Sequence, residues 1–180
     1  LVRDFEQFAV EEIIERLQKV FGIHSMSVAI ETDSAMDSIF AVAKELCRES
    51  GTFKVESHRG DKKYPLTSVE ISKELGGRLL SHFQGKLKVD VHNPDFIVRV
   101  DVRDNGKALL FSEYIDGPNG MPVGTAGKGL LLLSSGIDSP VAGYMMAKRG
   151  MTVDCLHFHS YPYTNAQAKE KVIELAKTLS

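Results

Sequence analysis

The stretch Gly129-Leu130-Leu131-Leu132-Leu133-Ser134-Ser135-Gly136-Ile137-Asp138-Ser139-Pro140 constrains the fold more than any other part of the chain. Four leucines without a polar break suit a strand covered on both faces, as in a parallel sheet. Small residues then suit a tight turn. Ser139-Pro140 opens a helix, with serine as N-cap and proline in the first turn, and Gly150 closes it. MTVDCLHFH follows as a second strand and NAQAKEKVIELAKTL as a second helix, with Ala168, Val172, Leu175 and Ala176 inward. This strand–helix–strand–helix order predicts a parallel sheet with right-handed crossovers. Two strands are too few to complete such a sheet, so the chain is expected to hold only its opening part.

Upstream the pattern differs. Residues 9–21 place Val10, Ile13, Ile14, Leu17, Val20 and Phe21 on one helical face, and Gly22 is the expected stop. HSMSVAIET alternates like a single strand. Residues 35–49 read as a second helix with Ile39, Phe40, Ala43, Leu46 and Cys47 inward, and FKVESH as a strand. RGDKKYP is a basic loop. Thr67 and Glu70 have capping-box spacing at the head of a third helix, in which Gly76-Gly77 implies close packing or a bend. KLKVDVH, FIVRVDVR and KALLFSEYI, separated by turns at Asn93-Pro94-Asp95 and Asn105-Gly106, predict a three-stranded antiparallel meander. The glycine- and proline-rich segment 116–128 is the expected linker.

Composition excludes more than it identifies. Hydrophobic content of 43% and charged content of 26% are those of an ordinary globular protein. No apolar run approaches the ~20 residues of a membrane helix. LVRDFEQF lacks the basic start and apolar centre of a signal peptide. With no initiator methionine, the chain is expected to begin inside a longer protein. Cys47 and Cys155 have no CxxC partner or histidine at ligand spacing, which argues against a disulfide framework or zinc site and favours a reducing cytoplasm. Net charge is −2, but residues 54–103 carry 10 Lys+Arg against 7 Asp+Glu. That segment could present a local positive surface to phosphates.

The loop Ser134–Ser139 carries the chemistry. At a strand-to-helix junction, backbone N–H groups and the positive end of the helix face whatever binds. Small residues let an anion approach, and Ser134 and Ser139 add hydroxyl donors. Asp138 would repel phosphate unless a cation bridges them, a combination that suggests a Mg²⁺-nucleotide. A plain βα turn with a capping serine is an equal alternative on these residues alone. No GxxxxGK[ST] motif occurs, and Gly124-Thr125-Ala126-Gly127-Lys128-Gly129 precedes its strand rather than following it.

SSGIDSPVAGYMMAKRG resembles the SGGxDS loop of PP-loop ATP pyrophosphatases. The longer stretch GMPVGTAGKGLLLLSSGIDSPVAGYMMAKRGMTVDCLHFHS closely resembles the ThiI family, the tRNA 4-thiouridine synthetases. ERLQKVFGIHS, the helix ending ELGGRLL, and VDVHNPDFIVRVDVR resemble the family's THUMP domain. The resemblance implies an α/β chain with an α+β THUMP domain and the first βαβα of a Rossmann-like PP-loop sheet. It implies boundaries at 1–9 (end of a ferredoxin-like subdomain), 10–115 (THUMP), 116–128 (linker) and 129–180 (PP-loop domain). It also implies ATP-dependent adenylation of uridine at tRNA position 8, followed by transfer of persulfide sulfur from a cysteine desulfurase. Sulfur supply for thiamine thiazole is implied too. Ser134, Ser135, Gly136, Asp138 and Ser139 would take pyrophosphate, with Asp138 on Mg²⁺ and essential for catalysis. Leu132, Leu133, His157 and Phe158 would line the adenosine crevice.

On their residues alone, Leu132 and Leu133 suit any sheet core, and His157 is most simply a packed histidine. Lys54, Arg59, Lys62, Lys63, Arg78, Arg99 and Arg103, with Lys86 and Lys88, are tRNA-backbone candidates, though each is individually a common kind of surface charge. Ser135 stands where the motif usually has glycine, which requires negative φ at that position. Neither cysteine matches the family's sulfur acceptor. A non-catalytic tRNA-binding module and another PP-loop adenylating synthetase are the alternative functions. No membrane partner is expected, and a homodimer is left open.

Overall fold

The computed structural model describes residues 9–160, 162 and 166–179; the expected end of a ferredoxin-like subdomain lies, but for Ala9, outside these. In chain order the elements are α1 (Val10–Leu17), β1 (Ser25–Met26), β2 (Ile30–Asp33), α2 (Met36–Leu46), β3 (Gly51–Arg59), α3 (Ser68–His82) and β4 (Leu87–Val89). There follow β5 (Phe96–Val102), β6 (Lys107–Phe111), β7 (Ile115–Asp116), β8 (Lys128–Leu132), α4 (Asp138–Lys148), β9 (Thr152–Leu156) and α5 (Ala166–Leu179). The chain forms two compact units: Ser27–Tyr114, and the residues up to Met26 together with those from Ile115 onward.

HSMSVAIET is therefore not one strand. β1 pairs with β7 in one unit, whereas β2 pairs with β6 in the other. Alternation marks both halves as strand-like but carries no information about a break between them.

The unit Ser27–Tyr114 is a five-stranded sheet of order β2-β6-β5-β3-β4. β3 is parallel to both β4 and β5, and only β5–β6 form the expected antiparallel hairpin. The meander expected for the last three strands is thus corrected. Asn93-Pro94-Asp95 does not turn β4 back on β5; instead, residues 90–95 carry the chain across β3. The Asp90 N–H donates to Phe53 O on one side, and the Asp95 N–H donates to Thr52 O on the other. The Thr52 N–H and hydroxyl both donate to the Asp95 carboxylate, at 2.7 and 2.8 Å, which holds that carboxyl below its usual range.

Strict alternation along β5 buries Phe96, Val98, Val100 and Val102. Ile39 and Ala43 of α2, Ile71, Leu75 and Leu79 of α3, Phe53 of β3, Leu87 of β4, and Ala108 and Leu110 of β6 complete the core. Phe40 and Leu46 pack half-buried against it, as their helical spacing predicts; Cys47 does so too, but from extended backbone just past the end of α2. Helix α3 runs unbroken through Gly76-Gly77. Gly76 is buried beside Val55, and Gly77 faces open space.

In the other unit, β8 and β9 are parallel, with α4 between them in the chain. Gly143 brings α4 so close to β8 that a Cβ there would stand 2.6 Å from Leu131 Cδ2. Leu133 is buried, but Leu130 and Leu132 are 63% and 58% exposed. The four leucines are thus covered on one face among the described residues, not on both as expected. Segment 116–128 is tied down at both ends. Gly117 N–H donates to His24 O, and Gly124 and Ala126 N–H both donate to Gly150 O. Gly150, at φ +90°, ends α4 as expected.

Both hydrogen bonds of the α3 capping box form: Glu70 N–H to Thr67 Oγ1 at 3.3 Å, and Thr67 N–H to Glu70 Oε2 at 2.8 Å. The Thr67 N–H and the Thr67 hydroxyl, both donating to Glu70 Oε2 at 2.8 Å, hold the Glu70 carboxyl below its ordinary value of 4.5. A depressed folded value stabilises the fold fully above the unfolded value and loses that contribution as pH falls through the folded one. Thr67→Ala should cost about 1 kcal/mol in urea unfolding at pH 7. Below pH 4.5 the gap between wild type and Glu70→Gln should narrow; a constant gap would show that Glu70 does not titrate in this role.

Candidate functional site

The β8–β9 pairing sets the position of the loop. Its ladder closes at Leu132 opposite Leu156, and the Leu133 N–H then donates to Leu156 O at 2.9 Å. Leu133 is thereby pulled inward to 2% exposure, and the chain turns out of the sheet at Ser134. α4 starts at Asp138 with Ile137 as N-cap and no side-chain cap. Ser139 is thus the second helical residue rather than the cap. Its hydroxyl reaches back across the loop instead: Oγ accepts the Ser134 N–H at 2.9 Å and lies 3.0 Å from Ser134 Oγ. Ser134 Oγ in turn accepts the Gly136 N–H at 3.4 Å.

Ser135 and Gly136 lie outside the positive-φ region, so serine fits where the motif usually has glycine. A Cβ added at Gly136 would meet only Ser134 Oγ, at 3.5 Å, which leaves a bare approach to the backbone. Asp138 is exposed in the first turn of α4, where a carboxylate complements the helix dipole. His157 follows β9, and its Nδ1 lies 2.9 Å from Leu133 O. The structure therefore gathers Leu133, Ser134, Ser139 and His157 into one hydrogen-bonded cluster, with Gly136 joined through Ser134. Leu132 stays on the exposed sheet face, and Phe158 is 72% exposed. Such an uncapped helix start, with two hydroxyls and an accessible glycine, can receive an anion.

The sequence-predicted cations of the other unit separate by what they already hold. Arg78 bridges Asp37 and Glu74, joining α2 to α3. Arg99 pairs with Glu56, donates to Ser112 O and lies over the Tyr114 ring at 4.5 Å. Lys54 pairs with Glu56 and Arg103 with Asp101. Arg59 contacts Tyr64 O only at 3.5 Å. Lys62, Lys63, Lys86 and Lys88 are exposed.

The residue reading missed a groove of about 440 Å³ between α3 and the β3–β4 edge. Phe53, Val55, Val89 and Val91 line it, with Lys54 and Lys73 alongside. Gly76 and Gly77 line it as well, so the available signal was that glycine pair, which widens the groove at the expense of helix propensity.

No described cluster of three or more His, Cys, Asp or Glu could hold a metal ion. Burial pushes the Cys47 thiol up to about 11, leaving little thiolate at neutral pH. Cys155 is exposed on β9.

Residues 33–113 match the THUMP domain model, and residues 124–180 match the model described as thiamine biosynthesis protein (ThiI). The chain is 49% identical to a probable tRNA sulfurtransferase of Alkaliphilus oremlandii, covering 98% of this chain and 46% of that protein. It is also 49% identical to a probable tRNA sulfurtransferase of Moorella thermoacetica, over 95% of this chain and 44% of the relative. The chain thus spans slightly less than half the length of these relatives. Among solved structures it is similar to PH1313 of Pyrococcus horikoshii, with a TM-score of 0.81 and 30% identity, covering 94% of this chain and 55% of that one. It is also similar to a 4-thiouridine synthetase crystallised with RNA and bound ATP, with a TM-score of 0.78 and 37% identity over 97% and 45% of the two chains.

The two thiols should differ sharply. At pH 7.5 a water-soluble maleimide should label Cys155 in the folded chain within minutes and Cys47 only after denaturation, as read by peptide mass spectrometry. Equal labelling rates would contradict the burial of Cys47.

Proposed function

We propose, because this chain belongs to the ThiI family of tRNA sulfurtransferases, that its intact protein converts uridine 8 of tRNA to 4-thiouridine. In this reading ATP adenylates the uridine O4 with release of pyrophosphate. Persulfide sulfur from a cysteine desulfurase then displaces AMP; supply of sulfur for thiamine thiazole belongs to the same proposal. The observation that carries it is the loop Ser134–Ser139, set at the end of β8 and the uncapped start of α4. The 4-thiouridine synthetase to which the chain is similar was crystallised with RNA and ATP, which supports both ligands here.

The residues fit a polyphosphate. Free first-turn N–H groups and the hydroxyls of Ser134 and Ser139 would hold the oxygens that leave as pyrophosphate. Asp138 is the carboxylate on the loop, and one carboxylate with phosphate oxygens is an ordinary setting for Mg²⁺. The ion would enter with the nucleotide and offset the charge of the departing pyrophosphate. Leu132, Leu133, His157 and Phe158, at the carboxyl ends of two parallel strands, stand where open sheets bind nucleotides. The RNA-binding domain, expected over 10–115, centres on the compact unit Ser27–Tyr114, with 129–180 as the opening of the nucleotide domain. Lys62, Lys63, Lys86 and Lys88 are its best phosphate contacts, since Arg78 and Arg99 are already engaged by carboxylates. No described helix is long and apolar enough to cross a membrane, and tRNA as substrate favours the cytoplasm.

Asp138→Ala in the intact enzyme should abolish ATP–pyrophosphate exchange while leaving tRNA affinity within about two-fold. Loss of both together would sink the separation of roles. Lys62→Ala with Lys63→Ala should weaken tRNA binding and lower the slope of log K against log salt by roughly one per lost phosphate contact. An unchanged slope would remove these lysines from the interface.

A further inference from the structure

The peptide plane between Leu133 and Ser134 is held at both ends by groups distant from it in the chain. Its carbonyl faces His157 Nδ1 at 2.9 Å, and its N–H donates to Ser139 Oγ at 2.9 Å. The regular β8–β9 ladder has ended one residue earlier, at Leu132 opposite Leu156. A continuing parallel ladder would bring a backbone N–H of the next strand to the Leu133 carbonyl. Here the imidazole stands in that place.

Because a carbonyl can only accept, Nδ1 must carry the proton. In the neutral ring Nε2 is then the unprotonated nitrogen, and it is buried without a hydrogen-bond partner among the described residues. The ring is thus committed through one nitrogen to the backbone atom that precedes the loop. Ser134 follows directly: its N–H and hydroxyl meet Ser139 Oγ, and its hydroxyl receives the Gly136 N–H. A rotation of this one peptide plane would swing the Ser134 N–H off Ser139 Oγ and, because that same Oγ meets the Ser134 hydroxyl, disturb the hydroxyl contacts that follow.

We propose that His157 is a positioning residue for the phosphate loop: its Nδ1–H holds the Leu133 carbonyl and so sets the direction of the Ser134 N–H and hydroxyl, without touching the phosphates. The proposal rests on the nucleotide reading of this loop. It adds to the crevice-lining role a mechanical one, transmitted through the main chain from β9 to the end of β8.

The asparagine side chain carries an N–H at the position of Nδ1, glutamine carries it one bond further out, and phenylalanine has none. In the intact enzyme His157→Asn should therefore keep the KM for ATP within about three-fold of wild type. His157→Phe and His157→Gln should raise it roughly ten-fold, the scale of one lost hydrogen bond, with little change in kcat. Nitrogen-15 NMR of the histidine-labelled chain should find the Nδ1–H tautomer. The backbone amide signals of Ser134 and Gly136 should move in the phenylalanine variant and return toward wild type with asparagine. An Nε2–H tautomer, or unmoved loop amides in His157→Phe, would overturn the proposal. So would an unchanged KM in His157→Phe when Asp138→Ala is inactive. If Asp138→Ala also kept full exchange activity, the nucleotide reading itself would fall, and this role with it.

Discussion

The parallel pairing of β8 with β9 is the interaction on which the candidate site depends. It aligns two strand ends at Leu132 and Leu156, so that whatever leaves the sheet there leaves at one edge. The Leu133 N–H to Leu156 O bond and the inward turn of Leu133 then fix where the loop begins. α4 can follow closely because Gly143 has no side chain to hold it away from Leu131. A helix set at that distance presents its first turn beside the strand end, where its free N–H groups and dipole act together on an anion.

The second unit is organised around β3, which is parallel to a neighbour on each side. That central place requires the chain to cross it, and the crossing is secured by polar contacts rather than by apolar burial. The Thr52 N–H and hydroxyl donate to the Asp95 carboxylate, the Asp95 N–H is shared between Thr52 O and Thr52 Oγ1, and the Asp90 N–H adds a bond to Phe53 O. Side chains such as Phe53, Ile71, Leu75 and Val98, all fully buried, supply the stability. Each is worth about 1.5–3 kcal/mol of burial. The polar crossing determines which strands become neighbours, a separate task from holding them together.

Electrostatics on this unit illustrate why a basic segment is not by itself a basic surface. Residues 54–103 have a surplus of cations, yet Arg78, Arg99, Lys54 and Arg103 are balanced by Asp37, Glu74, Glu56 and Asp101. Of these pairs, those exposed on both sides contribute only about 0–1 kcal/mol to stability, while Arg99, at 15% exposure, is more enclosed. The pairs nevertheless occupy the guanidinium and ammonium groups that a phosphate would need. What remains exposed is a smaller set of lysines: Lys62, Lys63, Lys86 and Lys88.

The sequence by itself determined that the helices exist, though α1 ends at Leu17, short of the stop expected at Gly22, and α2 ends at Leu46 rather than near residue 49. It also determined the capping box at Thr67 and Glu70, the β5–β6 hairpin at Asn105-Gly106, the parallel β8–β9 pair and the loop motif Ser134–Ser139. Those features depend on spacing within a few residues, or on a pattern that one local arrangement satisfies. The tertiary structure decided what depends on partners far along the chain. It split HSMSVAIET between two sheets, placed β3 between β4 and β5, and left Leu130 and Leu132 exposed on one face of β8. It also drew Ser139 away from the capping role that its neighbour Pro140 suggested, and brought His157 onto a carbonyl 24 residues earlier. A strand's alternation says which residues share a face, and a turn's residues say that the chain bends. Neither says which strand will supply the facing N–H and C=O groups. That choice is made only when all the hydrogen-bonding edges and apolar faces of the folded chain are satisfied together.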